Sequence, residues 1–168
     1  MTKTRKQLTL FINQNQSTEI EKIRQTFNPI QYALIKSHLT LCREDELQNI
    51  EKVLQIIRQL NQNEITIDFG EVVRFSYGNG VLIPPIDNKK AFNSLRESIL
   101  QGVIDIPRLQ EPHITLMHPR NATCTDAIFE DIQKRHLPNK ITFTKISLIE
   151  QEIGQKWRVL EEFELNRQ

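Results

Sequence analysis

The sequence predicts an α+β fold of two similar lobes, each a small, mainly antiparallel sheet with helices packed outside, and a cleft between them. Three observations carry this. Segments with apolar residues at every second position alternate with segments of helical spacing. One order of elements, strand, helix, strand, helix, strand, occurs twice. The tripeptides His38-Leu39-Thr40 and His113-Ile114-Thr115 occupy matching places in the two halves. The 168 residues suffice for one unit with a real core, spanning 1–168, with lobe one over about 7–77 and lobe two over about 78–165.

Residues 7–13 place Leu8, Leu10 and Ile12 on one parity, a half-buried strand. A helix follows, with Thr18 and Glu21 as a capping box, an apolar stripe of Ile20, Ile23 and Phe27, and Asn28-Pro29 as its stop. Residues 32–42 read as the strand of the first His-x-Thr. Residues 44–60 read as one helix, with Leu47, Ile50, Val53, Leu54, Ile57 and Leu60 on one face and Glu44, Asp45 and Glu46 favouring its dipole. A strand from Glu64 changes parity at Gly70, a bulge signal, and Asn79-Gly80 marks a hairpin. Asp87 is placed to cap a helix bearing Phe92, Leu95 and Ile99 that ends near Gly102. Residues 112–118 form the second His-x-Thr strand, and a helix over about 125–136 precedes Pro138. Residues 141–150 and 156–165 close the chain as a hairpin turning near Gly154.

Composition narrows the function. No apolar stretch approaches the ~20 residues that span a bilayer, and the first residues carry charge without an apolar signal core, so a cytoplasmic protein is expected. Cys42 and Cys124 fit neither a redox pair nor a zinc framework. The net charge of +1 supplies no global field for duplex nucleic acid, so a nucleic-acid ligand must be held locally. The basic run Lys3, Arg5, Lys6 reads as a solvated terminus.

In a strand, residues i and i+2 share a face, so His38 and Thr40 project together, as do His113 and Thr115, while Leu39, Leu41, Ile114 and Leu116 face the opposite layer. In-line cleavage of a phosphodiester needs one proton removed from the attacking oxygen and another delivered to the leaving oxygen. Two imidazoles with pKa near ~6.5 can divide those tasks, and threonine hydroxyls can donate to the non-bridging oxygens. The scheme needs no metal and no cofactor. A metallohydrolase needs three or more convergent ligands, and neither tripeptide has an acid at ligand spacing.

The paired His-x-Thr strands resemble the two-histidine (2H) phosphoesterase superfamily, which includes bacterial 2′-5′ RNA ligase-like proteins and 2′,3′-cyclic phosphodiesterases. The resemblance implies a catalytic set of His38, Thr40, His113 and Thr115 in an interlobe cleft, acting without metal on 2′,3′-cyclic or 2′-5′ phosphodiester bonds. It implies an RNA terminus or nucleotide as partner; a monomer is expected. The ligase-like branch often carries a basic residue three places after the motif threonine. Arg43 holds that place in the first half; His118 holds it in the second, with Arg120 two residues on. Phosphate contact therefore lies among Arg43, His118 and Arg120. The rival reading from another class is a protein that binds nucleotides or RNA ends in the same cleft without turnover.

Arg43, Arg120 and Tyr77 are the candidate substrate-binding residues: Arg120 as a phosphate fork in a loop, Tyr77 with Phe75 as a stacking surface whose simpler reading is core. His118 shares parity with Ile114 and Leu116, which turns it away from the cleft as a structural residue. His136 reads as a helix C-terminal charge, and Trp157 as core.

Overall fold

The computed structural model describes residues 2–87 and 89–167. Ten strands and five α-helices are found among them: β1 Thr4–Phe11, α1 Gln14–Phe27, α2 Pro29–Leu34, β2 His38–Cys42, α3 Ile50–Gln59, β3 Ile65–Phe69, β4 Val73–Phe75, β5 Gly80–Ile83, β6 Pro85–Asp87, α4 Lys89–Leu100, β7 Ile114–Met117, α5 Asp126–Gln133, β8 Lys140–Phe143, β9 Lys145–Glu152 and β10 Arg158–Glu164. The strands form three antiparallel sheets, ordered β10-β9-β1-β2, β6-β3-β8 and β4-β5-β7. The expected α+β class with small antiparallel sheets is what the chain adopts. Strands of the two halves interleave: β9 and β10 lie with β1, β8 pairs with β3, and residues 77/78 fall in the turn of the β4–β5 hairpin.

Period-two patterning drives the sheets. Leu8, Leu10, Leu39, Leu41, Ile114 and Leu116 are all buried on core faces, which leaves the alternate residues for the cleft. On β1 those are Arg5, Gln7, Thr9 and Phe11, and the register sets Thr9 opposite Thr40 and Phe11 opposite His38. Ile20 and Ile23 of α1, Val53, Leu54 and Ile57 of α3, and Phe92, Leu95 and Ile99 of α4 close the core. Among the described residues no helix is long and apolar enough to cross a membrane.

Several boundaries differ from expectation for identifiable reasons. Helix α1 begins earlier, because the Asn13 side chain accepts from the Gln16 N–H at 3.0 Å and takes the capping role; Thr18 lies inside the helix, its hydroxyl donating to the Gln14 carbonyl. Pro29 does not release the chain into a strand. It starts α2, where its missing N–H costs nothing, so β2 begins at His38. The helix expected over 44–60 is broken into a 3₁₀ turn, Glu44–Glu46, and α3, which Asn49 caps. In the hairpin, Ser76, Tyr77 and Gly78 all have positive φ, and the Asn79 N–H closes the turn on the Ser76 carbonyl at 3.1 Å, so the turn spans residues 76–79 and does not centre on Asn79-Gly80. Gly80 is needed instead because a Cβ there would stand 2.5 Å from the Phe75 ring. The cap expected at Asp87 adjoins Asn88, which lies outside the described residues.

The break in the 44–60 segment comes from Glu46, whose side chain turns inward and accepts from Arg96 at 2.6 and 3.1 Å and from the Arg43 N–H at 3.0 Å. Arg96 is 1% exposed, and its guanidinium also donates to the carbonyls of Leu41 and Arg108. The β1–β2 register skips Leu41, which leaves its carbonyl without a strand partner. Arg96 satisfies it, so the buried pair fixes the chain just beyond Thr40. Burial opposes ionisation of Glu46, but the hydrogen bonds from Arg96 and the Arg43 N–H, with the charges of Arg96 and Arg108, hold its carboxyl below the usual range. Arg96→Met is expected to cost about 3–5 kcal/mol in denaturant unfolding, the scale for stranding a buried charge. Combining it with Glu46→Met should recover most of that loss, and equal destabilisation by the single and the double variant would show that the pair does not act as a unit.

Candidate active site

Strands β2 and β7 are edge strands of their sheets, and these two edges meet. Between them lies a cleft of about 190 Å³ lined by His38, Thr40, His113 and Thr115. Each imidazole is fixed in the same way: His38 Nδ1 lies 2.7 Å from the Lys36 carbonyl and His113 Nδ1 lies 3.0 Å from the Glu111 carbonyl, two residues upstream in both cases. A carbonyl only accepts, so Nδ1 carries the proton in both rings and Nε2 is the nitrogen available for proton exchange. Gln7 Nε2 donates to Thr9 Oγ1 at 2.9 Å and Thr40 Oγ1 at 3.2 Å, which leaves the Thr40 proton free to point outward. Gln110 Nε2 donates to the Thr40 carbonyl at 2.6 Å and ties the approach to His113 onto β2.

The Lys36 carbonyl is itself clamped. Glu21 accepts from the Ser37 N–H at 2.9 Å, and buried Arg24 donates to the Ile35 carbonyl at 2.6 Å while pairing with Glu21 at 2.8 Å. One ion pair on α1 thus holds both neighbours of Lys36. On the other side, the Asn28 amide accepts from the His118 N–H at 2.8 Å and donates to Asn121 Oδ1 at 2.7 Å, fixing the exit of β7 against the α1–α2 junction.

Arg5, Arg24, Arg43 and Arg120 contribute to the cleft lining, which contains no carboxylate. Such a wall attracts an anion and repels a divalent cation. Among the described residues no group of three or more His, Cys, Asp or Glu is placed to hold a metal. Burial pushes the half-buried His38 imidazole down from 6.5 to about 4, the Lys36 carbonyl opposing and the charges of Arg24 and His113 adding to the shift. His118 is lowered by burial and by Arg120, and Arg5 by burial and Arg120 against Glu44.

Of the residues singled out from sequence, His38, Thr40, His113, Thr115, Arg43 and Arg120 converge on this cleft, and Tyr77 does not. Tyr77 is fully exposed at the tip of the β4–β5 turn, with φ of 56°, and is neither core nor cleft. His118 lines the cleft, contrary to its strand parity. Strand β7 ends at Met117, and Asn28 and Pro119 bend the chain there, so parity no longer governs position 118. Its Nδ1 accepts from the Arg120 N–H at 3.1 Å, which leaves a proton on Nε2 only 3.3 Å from Arg120 Nη2. Two donors face each other, an arrangement that an anion between them would relieve. Trp157 is half-buried on the cleft wall with the Arg5 guanidinium 5.0 Å from its ring centre, not core, and Arg5 belongs to an ordered strand, not a frayed terminus. Sequence reasoning alone also misses Gln7, Gln31, Gln110 and Arg24. The parity opposite Leu8 and Leu10 points to Arg5 and Gln7; no local pattern marks the other three.

Two edge strands presenting matched histidines to a shared cleft define a 2H phosphoesterase fold. The chain belongs to the 2′-5′ RNA ligase superfamily, whose match spans residues 13–155. No curated protein sequence matches it. Among solved structures it is similar to E. coli LigT complexed with phosphate (15% identity, 99% of each chain covered, TM-score 0.68) and to E. coli LigT complexed with 3′-AMP (14%, 97% of this chain and 98% of that one, TM-score 0.70). It is also similar to TT0787 of Thermus thermophilus (15%, 98% and 99%, TM-score 0.62). At these identities the likeness shows the fold.

The depressed His38 value has a measurable consequence. The unfolded imidazole protonates near 6.5 and the folded one near 4, so between those values the unfolded chain binds more protons and stability falls as pH falls. The His38 ring signal in NMR is expected to titrate near 4, and inorganic phosphate should raise that midpoint by favouring the cation. His38→Gln should remove this portion of the acid destabilisation. A His38 midpoint at or above 6.5 in the free protein would contradict the electrostatics described.

Proposed function

We propose that this chain is a phosphoesterase that hydrolyses or transesterifies 2′,3′-cyclic or 2′-5′ phosphodiester bonds of RNA ends or nucleotides by paired-histidine acid–base catalysis. The observation that carries the reading is the pair of imidazoles, each with Nδ1–H on the carbonyl two residues upstream and Nε2 free, in a cleft walled by four arginines and no carboxylate. One Nε2 takes the proton of the attacking water or hydroxyl as its oxygen bonds to phosphorus; the other, protonated, delivers a proton to the ribose oxygen as the P–O bond breaks. The lowered His38 pKa supports this residue as the base for hydrolysis, since it is neutral at working pH; in the reverse direction the roles exchange. Thr40 and Thr115 hydroxyls with Arg43, Arg120 and His118 steady the non-bridging oxygens. The phosphate and 3′-AMP complexes of the LigT structures support a nucleotide ligand. The buried thiols Cys42 and Cys124 fit a reducing cytoplasm.

His38→Ala and His113→Ala should each lower kcat on 2′,3′-cyclic substrates by on the order of 10² to 10⁴. The double variant should fall well short of the product of the two losses, because the histidines act together. Near-normal turnover by either single variant removes that residue from the mechanism, while unchanged nucleotide affinity in a variant without turnover separates catalysis from mere binding.

In this proposal proton transfer and charge stabilisation come entirely from side chains, so turnover should persist in excess chelator. Loss of activity on chelation, restored by a divalent cation, would overturn the metal-free scheme.

A further inference from the structure

The cleft at the histidines, about 190 Å³, is smaller than the ~300–1,000 Å³ of sites that enclose a whole small molecule. It has room for a phosphate and part of a ribose, so the base of a nucleotide substrate needs space elsewhere. A second cavity of about 420 Å³ shares two wall residues with the cleft, Ile35 and Trp157. The Trp157 backbone N–H donates to the Leu34 carbonyl at 2.9 Å, which holds the β9–β10 loop to the end of α2 where the two spaces adjoin. The same β1 face that carries Arg5, Gln7 and Thr9 continues into the second cavity as Phe11, whose ring meets the His38 ring edge-on at 6.1 Å.

The chemistry of this cavity differs from that of the cleft. Its floor is apolar and aromatic, from Phe11, Leu34, Ile149 and Trp157, with Val159 on its exposed wall. Its lining has a single acid, Glu162, which is neutralised by Lys145 at 3.0 Å. Arg158 is paired with Glu150, but Lys36 and Lys156 have no partner among the described residues. Arg5 lies against Trp157 and lines only the cleft, so it covers the indole from that side and leaves the other for a ligand. An apolar floor with an aromatic wall beneath two unpaired cations fits a base followed by a phosphate.

We propose that this second cavity is a nucleoside subsite: it takes the base of the nucleotide bearing the reacting phosphate, and Lys36 and Lys156 meet that nucleotide's 5′-phosphate. The inference rests on the phosphoesterase reading and narrows its substrate to an RNA end of two or more nucleotides in preference to a cyclic mononucleotide.

Trp157 is the only tryptophan in the chain, so its fluorescence reports occupancy without turnover. Inorganic phosphate, adenosine 3′-phosphate and the dinucleotide ApA with a 3′-phosphate are titrated into the parent protein, Val159→Glu and Lys156→Glu. Both substitutions are at exposed positions of the cavity wall, away from the histidines. Affinity is expected to rise at each step of the series, with about tenfold gained on adding the base, the scale of one aromatic stack. Val159→Glu should weaken both nucleotides by about tenfold or more, Lys156→Glu should erase the gain from the second nucleotide, and neither should change phosphate affinity. Equal affinity for the three probes, or nucleotide affinity indifferent to Val159→Glu, overturns the subsite. The expected binding order without turnover of any cyclic phosphodiester would instead sink the enzymatic reading and leave the subsite standing.

Discussion

The site depends on two sheet edges being held face to face without closing into one sheet. An edge strand has unpaired backbone groups that recruit a partner strand, and β2 and β7 would be apt partners. Side chains take up part of this capacity: Gln110 donates to the Thr40 carbonyl and Arg96 to the Leu41 carbonyl. With those groups satisfied, the edges approach but leave an opening between them, and the residues facing that opening are the alternate ones that the core rejects. The buried Arg96–Glu46 pair therefore satisfies part of this edge as well as holding α4 to β2. Its ionic character follows from the geometry it must satisfy, since one planar guanidinium reaches two carbonyls and a carboxylate at once.

Charge is organised on the same local scale. A net charge of +1 over 168 residues conceals a wall of four arginines without an acid. The compensating carboxylates are turned outward or engaged: Glu21 under Arg24, Glu46 under Arg96, Glu150 with Lys6 and Arg158. A concentrated field inside a nearly neutral protein favours a small anion or a chain end over a long duplex, because screening removes the contribution of charges beyond about 10 Å.

What can be read from the sequence is what alternation alone dictates. Leu39, Leu41, Ile114 and Leu116 announce their core faces, and that places His38, Thr40, His113 and Thr115 on the opposite side. Parity fails where the backbone stops being a strand. His118 is turned to the cleft by Asn28, a residue 90 positions away, and no period in the sequence encodes such a contact. Glu46 looks like a helix-dipole acid until the partner that draws it inward, Arg96, is located 50 residues on. Arg5 resembles part of a charged terminus, although its parity with Gln7 and Thr9 places it on the functional face. Arg24 gives no signal, since an arginine on an amphipathic helix is ordinarily solvated and only the fold shows it to be buried.

The two motifs are symmetric in covalent pattern and unequal in surroundings. Both histidines hang from the carbonyl two residues before them, so each presents the same nitrogen. Yet the segment before His38 is gripped by the Arg24–Glu21 pair and the His38 ring abuts Phe11, whereas before His113 the hold comes from Gln110, bonded to Asn93 and to the Thr40 carbonyl, and Glu111 reaches outward to Lys89. A repeat that duplicated a strand with its histidine would begin with two equivalent imidazoles, and equivalent groups cannot hold opposite protonation states except by sharing a proton. Burial and the nearby Arg24 charge favour the neutral form of His38. The covalent repeat therefore does not carry over to the surroundings, which α1 and β1 supply around His38 and α4 supplies before His113.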